Sequence, residues 1–487
     1  MTKTAYRNIA LLIGLALLLF FPMAWSQYLY TDDNVQLWHY RKGAGFHMFN
    51  EQGRYLTDLL SSFLFSSIDT IGQVRWLHLF SLLGWLFCLP IWYFIFNRIV
   101  RKEELHPMIP FFAVLYLICC LPFTESIVWA TMMELFIANT AALIAGYLLY
   151  SSRSVVAIIP VIIFALISLF SYQSGIGCFL LPFLLQLVSK KKLSRSILIG
   201  IGIYFLCFIL YDVLFHLQLR YWHIVPSNRA QLASDPLNKA LFFLGRPLAC
   251  AFRLNWIVNE HSRIGMIVYI LIIVAYVLMN IFPASSRGSG YWISRLRYLL
   301  TVLGLLVLMY LPSLAVKENW ASNRTLLALD MAAFLLLFTS LLRVIRTEKS
   351  RRMMALVFGI LVAIQAEYNL RFVFLGPITG EYRLVRNYIE THYNPETRTI
   401  SFIRPSYDLF RRKYGVNSSW DEFGIPSFYP EWVPDPFTRQ VVFEITGSRP
   451  IADSLVIQNW KDRMAWQQSD TTASPHVFLV DVERILQ

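Results

Sequence analysis

Two adjacent carboxylates, Asp32 and Asp33, stand in "YLYTDDNVQLWHY", a few residues past an apolar segment, Ile9 to Trp25, that holds no charged side chain. A carboxylate held at a membrane surface can take a proton from a hydroxyl arriving through water while a lipid-anchored molecule lies beside it. The competing reading is a pair of solvated turn formers. Cations recur in comparable positions. Arg54 opens the helical pattern "RYLTDLLSSFLFSS", where a guanidinium either grips a phosphate or anchors the helix at the interface. The stretch "VKENWASNRTLLALD" sets Lys317, Asn319, Asn323 and Arg324 ahead of another apolar run; it has more hydrogen-bonding capacity than a tight turn uses, although an ordinary polar turn would also contain it. In "HLQLRYWHIVPSNRAQ", Tyr221, Trp222 and His223 could stack on the rings of a ligand, and Arg220, like Arg246 and Arg253 further on, could bind phosphate; an interfacial aromatic belt is the alternative. Glu125 and Glu134 either assist an acceptor or close a buried ion pair. His223 has no Cys or second His at ligand spacing, which argues against zinc.

The elements that carry these residues follow from composition. Of 487 residues, 56% are hydrophobic and only 15% charged, and the mean hydropathy is +0.51. A soluble chain of this length needs more charge to cover its surface. Apolar segments long enough to cross ~30 Å of hydrocarbon recur. We read about eleven spans, at 8–26, 76–97, 107–122, 127–150, 154–170, 174–188, 195–215, 264–283, 297–315, 325–344 and 353–372. The first lacks a small-x-small cleavage site in "MAWSQ" and is kept as a span, not a signal peptide. The six cysteines, Cys88, Cys119, Cys120, Cys178, Cys207 and Cys250, fall mostly inside spans without CxxC spacing, as small packing residues do.

With the N-terminus cytoplasmic, alternate loops read "NRIVRKEELH", "YSSRS", "SKKKLSRS", "SSRGSGYWISRLR" and "RVIRTEKSRRM". The intervening short loops carry almost no Lys or Arg, as the positive-inside rule requires. The same loops account for the net charge of +13 through anionic lipid headgroups, without nucleic acid. Three pieces then lie on the outer side: 27–75, 216–263 and the tail from 375. In the first, the apolar periodicity from Tyr55 to Leu64 predicts a helix along the interface with its polar edge toward water. In the tail, "TGEYRLVRNYIETHY" predicts a helix, and "RTISFIRP", "RQVVFEITG" and "HVFLVDVERIL" predict short strands. The expected fold is an all-α polytopic membrane domain over 1–374 and a small α/β domain over 375–487.

On this topology Glu134 and Asp330 enter their spans from the outer side, and Asp212, Glu367 and Arg371 fall near outer ends. No span carries a charge in its cytoplasmic half away from the basic flanks. A transporter would be expected to set ionisable groups near the midplane, beside broken helices; charge gathered at one rim suits an enzyme acting on a lipid-linked head.

The architecture resembles the GT-C superfamily of polyprenyl-phosphate-sugar-dependent glycosyltransferases, with many spans, an acidic motif in the first outer loop and often a soluble outer C-terminal domain. More narrowly, "TDDNVQ" followed by "EQGRYLTDLL" is similar to the bacterial O-antigen glucosyltransferase family, which has paired acids and then Gly-Arg before an amphipathic helix. The basic residue expected shortly after the acids is absent from "DDNVQLW"; the nearest is Arg41. The resemblance implies an inner-membrane hexosyltransferase of polysaccharide biosynthesis. Its site would face the periplasm, its donor would be an undecaprenyl-type phosphate sugar, and its acceptor a glycan or lipid-linked glycan. It implies Asp32 as the base and Asp33 as orienter of the acceptor or ligand of a divalent cation, Mg or Mn. The other readings are a polymerase or ligase of lipid-linked glycans and a lipid or glycan transporter.

Overall fold

Long runs of Leu, Ile, Phe and Val with few charges fold as helices because a backbone in an apolar surround must satisfy its own hydrogen bonds. The computed structural model describes residues 3–130, 133–152, 154–225, 227, 231–254, 263–281, 289–416, 423–469 and 477–487. In chain order the first helices are α1 (Lys3–Trp25), α2 (Asp32–His39), α3 (Tyr55–Phe65), α4 (Val74–Lys102), α5 (Ile109–Cys119), α6 (Leu121–Ile127), α7 (Met133–Ser151), α8 (Ile158–Ser171), α9 (Leu181–Lys190) and α10 (Arg195–Trp222). Then come α11 (Pro236–Gly245), α12 (Pro247–Phe252), α13 (Arg263–Ile281), α14 (Ser289–Met309), α15 (Leu311–Ala315), α16 (Leu327–Val344) and α17 (Glu348–Tyr368). Parts of the second expected outer piece, 226, 228–230 and 255–262, lie outside the described residues, as do 282–288 of a basic loop.

The chain is a mostly α-helical polytopic protein. Among the described residues, eight helices are long and apolar enough to cross a membrane, or nine if α5 and α6 form one bent span, against about eleven expected. The difference lies between residues 107 and 190. Pro122 fits the first turn of α6 but could not continue α5, and the two helices meet at 51°. The fourteen residues of α8 rise only ~21 Å, short of the hydrocarbon thickness. The expected span 174–188 is a 3-10 turn, Gln173–Leu180, followed by α9. Its glycines are needed for close approach: a Cβ on Gly177 would sit 2.3 Å from the Met309 carbonyl oxygen, and one on Gly175 2.7 Å from Ala138 Cβ.

A second correction concerns α3. Thr57, Asp58 and Ser61 are buried, whereas Leu59 is exposed and Phe63 is 71% exposed. The polar residues Thr57, Asp58 and Ser61 face the protein together with Leu64, while Leu59 and Phe63 face outward, so the polar edge is not turned to water as expected. Where the exterior is itself apolar, a polar face gains most by turning inward to partners; Thr57 donates to the Ser171 carbonyl at 2.5 Å.

A π-helical turn, Asn369–Leu375, joins α17 to α18 (Gly376–His392). Pro377 removes an amide just past the wide turn, and one helical rod, Glu348–His392, crosses the expected domain boundary. Beyond it lie β1 (Thr399–Ile403), α19 (Tyr407–Tyr414), α20 (Pro434–Thr446), α21 (Arg449–Asp453), β2 (Val456–Trp460), α22 (Arg463–Gln467), β3 (Val477–Asp481) and α23 (Val482–Ile485). The strands form a parallel sheet in the order β2-β1-β3. The predicted helix, β1 and β3 are present. "RQVVFEITG" is helical, not extended: Pro434 and Pro436 open α20, Phe437 and Val441 bury one face, and Gly447 closes it at φ 66°. β2 was not anticipated.

This C-terminal unit sits on the end of the bundle that carries Asp32. Gln440 Nε2 donates to the Asp69 carbonyl at 2.8 Å, the Ile71 amide donates to Glu444 at 2.6 Å, and the Arg449 guanidinium lies 4.9 Å from the Trp38 ring. The flanks at Arg101 and Lys102, Lys190, Lys191 and Lys192, and Arg343 to Arg352 belong to the opposite ends of their helices.

Candidate active site

The acidic turn begins with a strained residue. Thr31 precedes α2 at φ 38°, a region that a β-branched residue enters only when its surroundings hold it there. The hold comes from the C-terminal unit. The Thr31 amide donates to Ser427 Oγ at 3.2 Å, Ser427 Oγ donates to the Leu29 carbonyl at 3.1 Å, and the buried Glu381 accepts the Ser427 amide at 2.7 Å.

The turn sends the two acids to different environments. Asp33 is 0% exposed. Its oxygens accept from the Ala130 amide at 3.2 and 3.3 Å and from the Tyr30 amide at 3.4 Å. Burial pushes its carboxyl well above the usual range; the two amides oppose this, and Asp32 and Glu134 add to it. Asp32 is half-buried, and its Oδ1 accepts from the indole N–H of Trp432 at 2.9 Å.

The folded state holds the proton more tightly than the unfolded chain, so the stability Asp33 contributes is fully present below its unfolded value near 3.8 and is lost as pH rises through the folded value. Asp33→Asn removes that loss. Between pH 4 and 8 the variant should gain on the wild type by at most about 1.4 kcal/mol per pH unit, measured by denaturation of both proteins at stepped pH. Parallel curves would mean that Asp33 titrates alike in both states.

Around the acids the structure gathers five more of the expected residues. Glu125, 0% exposed, accepts from Asn323 Nδ2 at 2.8 Å and from Ser322 Oγ at 3.2 Å. Arg324 Nε donates to Ser322 Oγ at 3.1 Å, and the guanidinium lies 4.8 Å from the Trp129 ring. Trp129 meets Tyr30 edge-on at 5.1 Å, which ties this loop to the acidic turn. Glu134 is buried, with Oε2 lacking a hydrogen bond among the described residues, and it feels the charges of Arg54 and Arg324. Arg54 Nε donates to Gln173 Oε1 at 3.3 Å while its guanidinium packs 4.1 Å from the Tyr172 ring. No described carboxylate pairs with Arg54 directly, so its remaining N–H groups can serve a phosphate.

Other expected residues are not brought in. Arg220, Tyr221 and His223 are exposed at the end of α10, Tyr221 by 81%. That placement suits an aromatic belt better than a sugar platform. Lys317 is exposed, and its backbone amide bonds the Gln231 carbonyl at 2.7 Å. Asn319 is partly buried, outside the Glu125 cluster. Asp33 does not fit a metal: its oxygens accept amide N–H groups, and no three or more His, Cys, Asp or Glu gather around a common point among the described residues.

Sequence reasoning missed Asp58. It is 1% exposed and accepts from Tyr40 Oη at 2.6 Å and the Phe49 amide at 3.2 Å, and it meets His47 Nδ1 at 2.6 Å. The signal available was an acid on α3 exactly one turn after Arg54, whose carbonyl accepts the Asp58 amide at 3.0 Å. Trp432 and Gln173 were also missed, because contacts spanning 400 and 119 residues leave no local trace.

No protein-family model matches the chain, and no curated protein matches it.

Proposed function

We propose that the chain is an inverting glycosyltransferase of GT-C type, taking a sugar from a polyprenyl phosphate and passing it to a glycan or lipid-linked acceptor at the non-cytoplasmic face of a bacterial inner membrane. The observation that carries this reading is the convergence of Asp32, Asp33, Arg54, Glu134 and Arg324 at one end of an apolar bundle, with no described carboxylate pairing Arg54 directly. Asp32 takes the acceptor hydroxyl proton, since it alone of the pair is partly exposed. The acceptor oxygen attacks the anomeric carbon from the face opposite the phosphate. The C–O bond to phosphate breaks, its electron pair leaves on the phosphate oxygen, and the configuration inverts. Arg54 and Arg324 offset the charge that develops on the leaving group. Asp33, held by backbone amides, fixes the turn that aims Asp32.

The test uses the full chain in nanodiscs with a labelled polyprenyl-phosphate sugar and a surface-glycan fraction. Label should enter the glycan as polyprenyl phosphate is released in equal amount. Label carried across sealed vesicles with no new glycosidic bond would overturn the proposal in favour of transport.

A further inference from the structure

Apart from the acidic turn, a cavity of about 560 Å³ opens between the end of α1 and the outward face of α18, lined by Trp25, Ser26 and Gln27 on one side and Thr379, Arg383 and Asn387 among others on the second. Thr379, Arg383 and Asn387 follow at i, i+4 and i+8 and so share one helix face. They span about 12 Å along the axis, which exceeds the polar headgroup layer of one leaflet. Trp25 lines the cavity from the end of α1. It ends an apolar span and is 70% exposed, as an indole at the headgroup level is.

Of the charged side chains that line the cavity, Arg383 and Arg386 are cations and Glu390 is an anion. Arg386 is spent on its neighbours: Nε meets Glu390 at 2.6 Å, one terminal nitrogen donates to Tyr382 Oη at 2.6 Å, and the other meets Glu444 at 3.0 Å. Arg386 is thus shared between two carboxylates, Glu390 and Glu444. Arg383 lines the same cavity, is exposed, and makes no hydrogen bond or ion pair with any described residue. One unspent guanidinium, with an amide side chain one turn beyond it and an indole below, matches a phosphate ester: the cation meets the phosphate oxygens and the indole packs against the glycerol or sugar beside them.

We propose that this cavity binds a phosphate-ester headgroup, supplied by a bilayer lipid or by a soluble phosphorylated molecule, with Arg383 as its principal contact. The site is separate from Asp32 and Arg54 and stands or falls independently of the sugar-transfer reading.

The experiment places full-length wild type, Arg383→Glu and Arg383→Lys in phosphatidylcholine vesicles doped with phosphatidylglycerol, extracts them in mild detergent and counts phosphatidylglycerol retained per chain by native mass spectrometry. Arg383 holds no partner among the described residues, so the variants are expected to fold. Retention should fall about tenfold in Arg383→Glu and much less in Arg383→Lys, the step expected for one charge-assisted contact. A second arm adds glycerol 3-phosphate during extraction. Displacement of the lipid would identify a site open to soluble phosphate esters, and resistance a site for the lipid headgroup. Equal retention by wild type and Arg383→Glu, with glycerol 3-phosphate binding neither, would overturn the proposal.

Discussion

Asp32→Asn should lower kcat for sugar transfer by about 10²–10⁴-fold, the usual contribution of a positioned general base, with little change in donor KM. The amide keeps an oxygen for the Trp432 indole, whose bond to Asp32 is 2.9 Å long, and it adds no bulk to a half-buried position. Protein levels in the membrane should therefore match the wild type. A loss confined to kcat separates a proton acceptor from a binding residue, because donor affinity resides in the arginines. Undiminished transfer would remove Asp32 as the base. Asp33→Asn gives the contrasting case. Its side chain contacts backbone amides and is closed to an acceptor, so its effect should appear chiefly in stability against pH.

Asp58→Ala should destabilise the fold by about 3 kcal/mol or more, since each buried donor that loses its acceptor costs about 1–3 kcal/mol. The donors are the Tyr40 hydroxyl and the Phe49 amide, and His47 loses its partner as well. Burial and the adjacent Asp58 carboxylate push the Tyr40 hydroxyl well above its ordinary value, so Tyr40 remains a donor and cannot relieve the loss by ionising. The damage should concentrate where those donors lie, between Tyr40 and Phe49. Amide exchange there should speed up in the variant while α4 and α16 stay protected, and the unfolding temperature should drop. Asp58→Asn, which keeps one acceptor oxygen, should cost less. A variant as stable as the wild type would mean that the three contacts are replaceable by water.

What the sequence disclosed and what it hid divide along physical lines. The long spans were legible because they rest on local composition: α10 and α13 need only apolar residues in sequence. The site was half legible. Asp32, Asp33, Arg54, Glu125, Asn323 and Arg324 all sit in short polar stretches beside apolar runs, and polarity in that position draws attention whatever it touches. Partners were not legible, since the bonds from Trp432 to Asp32 and from Ser427 to Leu29 are separated by 400 and 398 residues. Direction was misread in α3 because periodicity reports two faces of a helix without saying which solvent each meets; when the outside is itself apolar, Phe63 belongs there and Asp58 within. "RQVVFEITG" was misread because three adjacent apolar residues fit either period, and the deciding prolines lie upstream of them.

The most direct measurement of which way the acidic end faces is thiol labelling in intact cells. The native cysteines are buried or half-buried, so their background is low. Lys42→Cys reports on the exposed loop after α2, and Lys349→Cys on the exposed start of α17 at the opposite end. A membrane-impermeant maleimide should modify Lys42→Cys in intact cells and Lys349→Cys only after permeabilisation. The reverse pattern would put the acids in the cytosol, out of reach of an acceptor on the far side of the membrane, and would contradict the account.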